Sequence, residues 1–486
     1  MDAPSSGLDI VIVGAGLAGL AASISCALAG HRVHVLESAK ELLEIGAGLQ
    51  ITPNASRLLR DWGLESELER VAAEPTLLAV HRYSDGKVLA EERRFNEKMR
   101  RKYGAPFIDV HRVDLQRILY NRATALGVSV SLNCRVSSIG RSISTSANTT
   151  TTTSDGEGTT TGSTGRPEVL LESGRKIEAD LIVGADGLWS KCRECLLGKS
   201  DKPLPTGDLA YRIVLELDKI TDPELKAWIA NPQCHFWIGP YAHAVAYSLR
   251  AGTMYNIVLL CPDDLPENLA RTKGSVSEMQ ALFAGWDPIL TRFLKQVDSV
   301  DKWKLMHREE LPSWTNPERD FVLIGDSCHP MLPYLAQGAN SSIEDGAVLG
   351  RLLAYVDACG PGEERKRKEQ LRWAVGLYEQ LRKSRSERIV RETFHQRDAF
   401  HMPDGQAQRE RDALFESQLG KDEVEVKFPS RWCVPTFCSF ISSFPPLLLM
   451  LRDLSRTCPE VQPWLYGYDA HREADEAVKA HPFREG

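Results

Sequence analysis

Asp9-Ile10-Val11-Ile12-Val13-Gly14-Ala15-Gly16-Leu17-Ala18-Gly19-Leu20 is the stretch on which the fold turns. The apolar run Ile10 to Val13 reads as a strand, enters a glycine turn, and continues into an Ala-rich helix from Leu17 to Leu28. A second strand, Arg32-Val33-His34-Val35-Leu36-Glu37, ends in a carboxylate at the spacing the dinucleotide fingerprint requires. Gly14 permits the tight turn, Gly16 lets backbone approach a pyrophosphate, and Gly19 lets helix and strand pack closely. The pyrophosphate belongs at the positive end of the helix, and Glu37 is placed to accept a bond from a ribose hydroxyl. The alternative is a glycine-rich turn in an ordinary βαβ unit. Strand, helix, second strand and acid all fall in place, which favours the dinucleotide. The stretch alone does not separate FAD from NAD.

A chain of 486 residues is long enough for two or three domains, or one large core with a lobe. With 42% hydrophobic and 26% charged residues it has the balance of a soluble globular protein. A net charge of −7 gives no pointer to nucleic acid. Eleven cysteines show no pairing pattern, and Met1 to Leu8 is short and polar, without a secretory signal. The expected setting is cytoplasmic and reducing, with free thiols. Cys192-Arg193-Glu194-Cys195 has redox spacing, but a better account of that segment follows.

Downstream, Ile45-Gly46-Ala47-Gly48-Leu49-Gln50 marks either a loop where backbone approaches a ligand or a simple connector. Asn54 after Pro53 reads as a helix cap. Residues 76–95 alternate like a hairpin turning at Asp85-Gly86. His111-Arg112-Val113-Asp114 opens a helix to Ala125. Arg112 there either reaches a phosphate or flavin edge or pairs with Asp114. Val128 to Ile139 reads as one strand and Val169 to Glu172 as another. Between them Ser142 to Gly165 is rich in Thr, Ser and Gly and reads as a disordered insertion at a hairpin tip.

Two later strands also run into turns. Leu181-Ile182-Val183-Gly184-Ala185-Asp186-Gly187 leads to a helix starting at Ser190, with Arg193 on the same side of its first turn. Phe321-Val322-Leu323-Ile324-Gly325-Asp326 leads through Gln337-Gly338-Ala339-Asn340 to another helix. Asp326 is placed to hold a ribityl hydroxyl, and the amides near Gly338 and Ala339 to bond a carbonyl or anion. Between these turns, Leu209 to Leu217, Cys234 to Gly239, Ala242 to Leu249 and Tyr255 to Cys261 form a mostly antiparallel sheet. Tyr211-Arg212 puts a cation in an apolar strand. Alternation places His243, Val245, Tyr247 and Leu249 on one face, which suits an aromatic ligand or packing on a helix. The long helix, about Glu363 to Phe400, turns Leu371, Val375, Tyr378 and Leu381 to a core. Cys433 to Leu451 is an uncharged run broken by Pro435, Pro445 and Pro446, most simply a buried or irregular insertion, with membrane contact the lesser reading.

Three strand-to-helix turns of this kind, in this order, resemble the class A flavoprotein monooxygenases. The closer likeness is to the salicylate-hydroxylase-like enzymes of fungal secondary metabolism and aromatic detoxification. The resemblance covers roughly residues 8–415. Ser190-x-x-Arg193 completes its Asp-Gly motif and displaces the Cys-x-x-Cys reading. It implies an α/β fold with a Rossmann-like FAD-binding domain of the 4-hydroxybenzoate-hydroxylase type (1–75, 105–200 and 305–360). An inserted, mostly antiparallel substrate domain (76–104 and 201–304) and C-terminal helices (361–486) complete it. It implies FAD as cofactor and NADPH or NADH as transient co-substrate. Gly14, Gly16, Gly19, Glu37, Ala47, Gly48, Arg112, Asp186, Gly325, Asp326, Gly338 and Ala339 fall at cofactor positions. Arg212 and Tyr247 fall where related enzymes orient and polarise a phenol, and no metal is implied. The chemistry implied is hydroxylation of an electron-rich aromatic with O2 through a flavin C4a-hydroperoxide. Three features depart from the family: Gln337-Gly338-Ala339 replaces Gly-Gln-Gly, and the Thr-rich insertion and Cys433 to Leu451 have no recognised counterpart. The rival functions are a flavin-dependent oxidase or reductase of a small lipophilic metabolite and a non-catalytic carrier. The carrier would lack the paired Asp186-Gly187 and Gly325-Asp326.

Overall fold

The computed structural model describes residues 7–42, 47–142, 165–357, 363–417, 419 and 461–484. A five-stranded parallel sheet runs in the order Phe321–Leu323, Leu181–Gly184, Asp9–Val13, Arg32–Leu36, Ser129–Ser131. Asp9–Val13 is central and its side chains from Ile10 on are buried, as expected of a strand covered on both faces. Helix Leu17–Leu28 packs along helix Gly338–Leu353. Their backbones approach so closely that a Cβ on Gly346 would lie 2.5 Å from the Ala22 nitrogen. Small residues at Ala21, Ala22 and Ser25 accept that approach, so the first and third strand-to-helix turns are fixed against each other.

The second sheet has eight strands, Arg271–Gly274, Val300–His307, Leu204–Glu216, Met254–Pro262, Ala242–Leu249, Gln233–Gly239, Leu77–Arg82 and Val88–Arg93. All neighbours pair antiparallel except Gln233–Gly239 with Leu77–Arg82. Period-two alternation divides its faces. Leu209, Tyr211, Ile213, Ala244, Ala246, Tyr255 and Ile257 bury one face against the helices Pro223–Ala230, Val276–Leu282 and Pro288–Leu294. Ala210, Arg212, His243, Val245, Tyr247 and Val258 turn the other way, toward the parallel sheet. The alternation expected for His243 to Leu249 is therefore present.

Two sequence expectations are corrected. Val128 to Ile139 is not one strand: Ser129–Ser131 ends the parallel sheet, Asn133 takes a left-handed conformation (φ 56°), and Val136–Arg141 joins a separate three-stranded sheet. Asn54 is not a cap. Thr52 is the N-cap of helix Pro53–Asp61, and Asn54 is buried in its first turn, bonding Gln337 and Glu344. Val136–Arg141 pairs antiparallel with Pro167–Leu171, so the Thr-rich insertion joins two paired strands. Its residues 143–164, and all of Cys433 to Leu451, lie outside the described residues. Among the described residues no helix is long and apolar enough to cross a membrane.

Candidate flavin and substrate site

A cavity of about 310 Å³ lies between the two sheets. Gly16, Leu17 and Ala18 line one part of it. Ala47, Gly48, Arg112, Asp326, Gly338 and Ala339 line the middle, and Arg212 and Tyr247 lie on the facing sheet. Gly14, Gly19, Glu37, Asp186 and Gly325 stand behind this surface. The cavity thus gathers nine of the fourteen candidate positions, drawn from seven separate parts of the chain.

The glycines divide the work. Gly14 has φ +108°, and a Cβ there would lie 2.4 Å from the Ala185 carbonyl oxygen. A Cβ on Gly19 would lie 2.0 Å from the Gly14 oxygen, whereas one on Gly16 meets nothing within 4 Å. The outer two are forced by packing, and Gly16 faces open space. Helix Leu17–Leu28 begins there with no side-chain cap and no acid in its first turn, and helix Gly338–Leu353 begins the same way. Two helix N-termini with uncapped amides therefore face one cavity. That matches a group with a pyrophosphate at one end and an electron-poor ring carbonyl at the other. The donor set fits FAD.

The acids are placed differently from one another. Glu37 accepts from the Ala15 and Ala39 amides, both at 2.8 Å, and ties the glycine turn to the loop after the second strand. Asp186 accepts from the Lys191 and Cys192 amides at 2.7 and 2.9 Å and from the Ser190 hydroxyl, so it caps helix Lys191–Leu197 while its neighbour Gly187 reaches the cavity. Arg193 is buried and bonds Asp201 (2.6 Å) and the Glu309 carbonyl (2.6 Å). Asp326 is exposed on the cavity wall, presented by Gly325, whose φ is +62° and whose amide donates to Asp345. Arg112 donates its amide to the Ala47 carbonyl. Asp114 is held by Arg250 (2.8 Å) and Arg117 (2.9 Å).

On the substrate side, Gly48 donates its amide to Asn256 (2.9 Å), and a Cβ on it would lie 2.5 Å from Cε2 of Tyr247. The Tyr247 ring is thus pressed against the loop at the middle of the cavity. Burial pushes its hydroxyl well above the ordinary tyrosine range, with the nearby Arg212 charge pulling the other way. The Arg212 guanidinium lies 4.6 Å from the ring centre of Trp303, and Arg271 lies 4.4 Å from the same ring. Cys192 and Cys195 are both free, and burial raises both thiols, the opposite of a reactive redox pair.

Three features escaped the sequence reading. His243, which alternation already places on the cavity face, bonds His401, 158 positions away, a distance no local pattern bridges. Asp109 is fully buried, its carboxyl pushed well up by burial; it accepts from Gln50 Nε2 at 3.0 Å. Leu465 and Tyr466 of helix Val461–Tyr466 close part of the cavity, and Tyr466 packs on Tyr103 and Phe107.

This fold and cavity define an FAD-binding flavoprotein. The chain belongs to the FAD binding domain family, whose pattern matches residues 7–393. It is 45% identical to the FAD-dependent monooxygenase OpS4 of Beauveria bassiana over 97% of both chains. It is 31% identical to a 3-hydroxybenzoate 6-hydroxylase of Polaromonas naphthalenivorans, over 79% of this chain and 86% of that one. Its fold matches a salicylate hydroxylase substrate complex with TM-score 0.69 at 19% identity, covering 98% of each chain. The protein is an FAD-dependent monooxygenase, and FAD is its cofactor.

Proposed function

We propose that the enzyme takes electrons from NADPH or NADH and uses O2 to hydroxylate a small electron-rich aromatic carrying a phenolic group. The observation that supports this most is the position of Arg212 and Tyr247. They share one cavity with Gly48, Gly338 and Ala339, and the Tyr247 ring lies against Gly48. FAD supplies the redox and oxygen chemistry. The chain supplies binding, orientation and charge. The amides at Gly16 and Leu17 face the pyrophosphate, Glu37 the adenosine ribose and Asp326 the ribityl chain. Arg112 and the amides of Gly338 and Ala339 serve the flavin end.

Arg212 stabilises negative charge on the phenolic oxygen, and Tyr247 holds that oxygen by a hydrogen bond. Its raised pKa keeps Tyr247 protonated, and hence a donor, at neutral pH. The flanking Val245, Val258 and Leu260 exclude water from the ring. The relatives named for hydroxybenzoate and salicylate support a phenolic acid or a related phenol as the substrate class. The test is an NAD(P)H-consumption screen of the FAD-loaded protein against phenolic and indolic compounds, with products identified by mass. A hydroxylated product is expected. Substrate oxidised without a gained oxygen atom would favour the oxidase or reductase reading instead.

A further inference from the structure

Helix Val461–Tyr466 lies beyond residues 7–393, the stretch the family pattern matches, yet it reaches the cavity. The core holds it in place. Arg385 donates to the Trp464 and Leu465 carbonyls, both at 3.2 Å, and the Arg388 guanidinium lies 4.3 Å from the Trp464 ring centre. Arg57 donates to the Tyr468 carbonyl at 2.9 Å just past the helix. With the backbone tied this way, Gln462, Leu465 and Tyr466 line the cavity. Gln462 and Tyr466 are four residues apart, so they share one side of the helix.

The sheet register gives the length of the site. Arg212 pairs with Val258, Val258 with Val245, and Val245 with Phe236, and all four line the cavity. Three strand spacings separate the Arg212 and Phe236 backbones, about 14 Å. A single phenol ring covers little more than one spacing. At the Phe236 end the wall turns apolar and aromatic: Phe236 and Tyr466 pack on the cluster that holds Leu78 and Phe107. Among the described residues no charged side chain lines this end. It is closed by two hydrogen-bond donors. The Tyr103 hydroxyl donates to Gln462 Oε1 at 3.0 Å, which leaves the Gln462 amide hydrogens for the cavity. Burial holds the Tyr466 hydroxyl well above the ordinary tyrosine range, so it stays protonated.

We propose that the substrate is a phenol extended by a fused second ring with a neutral acceptor oxygen at its far end, and that Tyr466 and Gln462 bind that oxygen. The inference rests on the function proposed above. The phenolic oxygen lies at Arg212 and Tyr247, and the second ring covers the sheet as far as Phe236. Phe107, Phe236 and Tyr466 offer ring faces and edges, which suit a flat aromatic unit. A donor buried at the far end costs free energy unless an acceptor meets it, and a carbonyl oxygen does so without bringing a charge into an apolar wall. Tyr466 and Gln462 thus set specificity, and the residues that polarise the phenol are others.

The experiment compares three probes on the FAD-loaded enzyme: resorcinol, a single ring; 2-naphthol, which adds the second ring; and 7-hydroxycoumarin, which adds a carbonyl at the far end. Dissociation constants come from equilibrium dialysis, and kcat/KM from product identified by mass in the presence of NAD(P)H. Binding should tighten in that order, with about tenfold or more between resorcinol and 7-hydroxycoumarin. In Tyr466→Phe, which keeps the ring, the preference for 7-hydroxycoumarin over 2-naphthol should fall about fivefold, the scale of one hydrogen bond. A merely structural role for Tyr466 would weaken all three probes alike. Should Tyr466→Phe fail to retain FAD, Gln462→Leu is read in its place by the same criterion. Resorcinol bound within about twofold of 7-hydroxycoumarin, or a preference unchanged in the variant, overturns the far-end contact while hydroxylation of the probes leaves the proposed function standing. Probes that bind in the expected order but gain no oxygen overturn the proposed function, and with it the assignment of this occupant as substrate.

Discussion

A single methyl group at position 48 tests how tightly the site is built. It would meet Tyr247 at Cε2 (2.5 Å) and at the hydroxyl (2.8 Å), so Gly48→Ala must displace a ring that is itself buried. The expected cost is about 1–3 kcal/mol of overpacking, with a fall in hydroxylation larger than the fall in thermal stability. Parallel melting curves and turnover measurements check this; a variant equal to wild type in both would show that the ring yields freely. Arg212→Ala should reduce product formation about a hundredfold while FAD remains bound, as expected for a charge that acts on the developing phenolate. Loss of flavin and activity together would make Arg212 structural. The sequence marks Gly48 as a place of close backbone approach, because only glycine explains the Gly-Ala-Gly spacing there. It does not show what approaches, since Tyr247 is brought in by a different sheet. Asp186 teaches the converse: its motif is plain in the sequence, yet the carboxylate faces the helix it caps.

At the scale of elements, the decisive contact joins the long helix Glu364–Phe400 to helix Gly338–Leu353. Arg382 donates to Asp345 (2.8 Å) and is ion-paired with Glu344 (2.7 Å), and Arg385 donates to Glu344 (2.9 Å), with Arg382, Glu344 and Asp345 all fully buried. Asp345 also takes His329 Nε2 (2.6 Å) and the Gly325 amide, so the network fixes the turn that presents Asp326. Tyr468 lies over Arg385 at 3.8 Å, which ties the C-terminal segment to the same helix. Arg382→Met removes one of the two guanidinium groups facing Glu344 and leaves Asp345 with only His329 and the Gly325 amide, and should cost about 3–5 kcal/mol, with weakened FAD retention. Urea unfolding and flavin release measure the two effects; a variant within about 1 kcal/mol of wild type would mean the acids find other partners. Helical periodicity picks out Leu371, Val375, Tyr378 and Leu381 as the core stripe; the first three are buried and Leu381 packs half-buried against the core. It is silent on Arg382 and Arg385, because a pattern of single residues does not record ion pairs made with another helix. The split of Val128 to Ile139 has a similar origin: the turn at Asn133 depends on a left-handed backbone that no glycine announces.

For the whole molecule, pH is the natural probe. His235 is pushed down to about 3 and His401 to about 4, and His81 and His243 are also lowered, each chiefly by burial. The unfolded chain binds protons at these sites near pH 6.5 and the folded chain does not. Stability is therefore full above about 6.5 and declines as pH falls from there toward about 3. Glu344 and Asp345, both lowered, add their loss at the acid end. Urea midpoints should fall between pH 7.5 and 4.5; a flat profile would mean the histidines stay solvated.

The overall architecture was readable because three strand-to-helix turns recur in a fixed order and the sheet alternates with period two. The joining of those parts into one cavity was not, because it depends on contacts between Gly346 and Ala22, Gly48 and Tyr247, and Arg382 and Glu344, none of them local. The central claim is oxygen insertion at that cavity. Turnover of the FAD-loaded protein with NAD(P)H and a phenolic substrate under 18O2, with product mass and peroxide measured together, tests it most directly. The account predicts a hydroxylated product carrying one 18O atom, formed in step with NAD(P)H oxidation and lost in Arg212→Ala. Peroxide formed in step with NAD(P)H, with no 18O in any aromatic product, would contradict it.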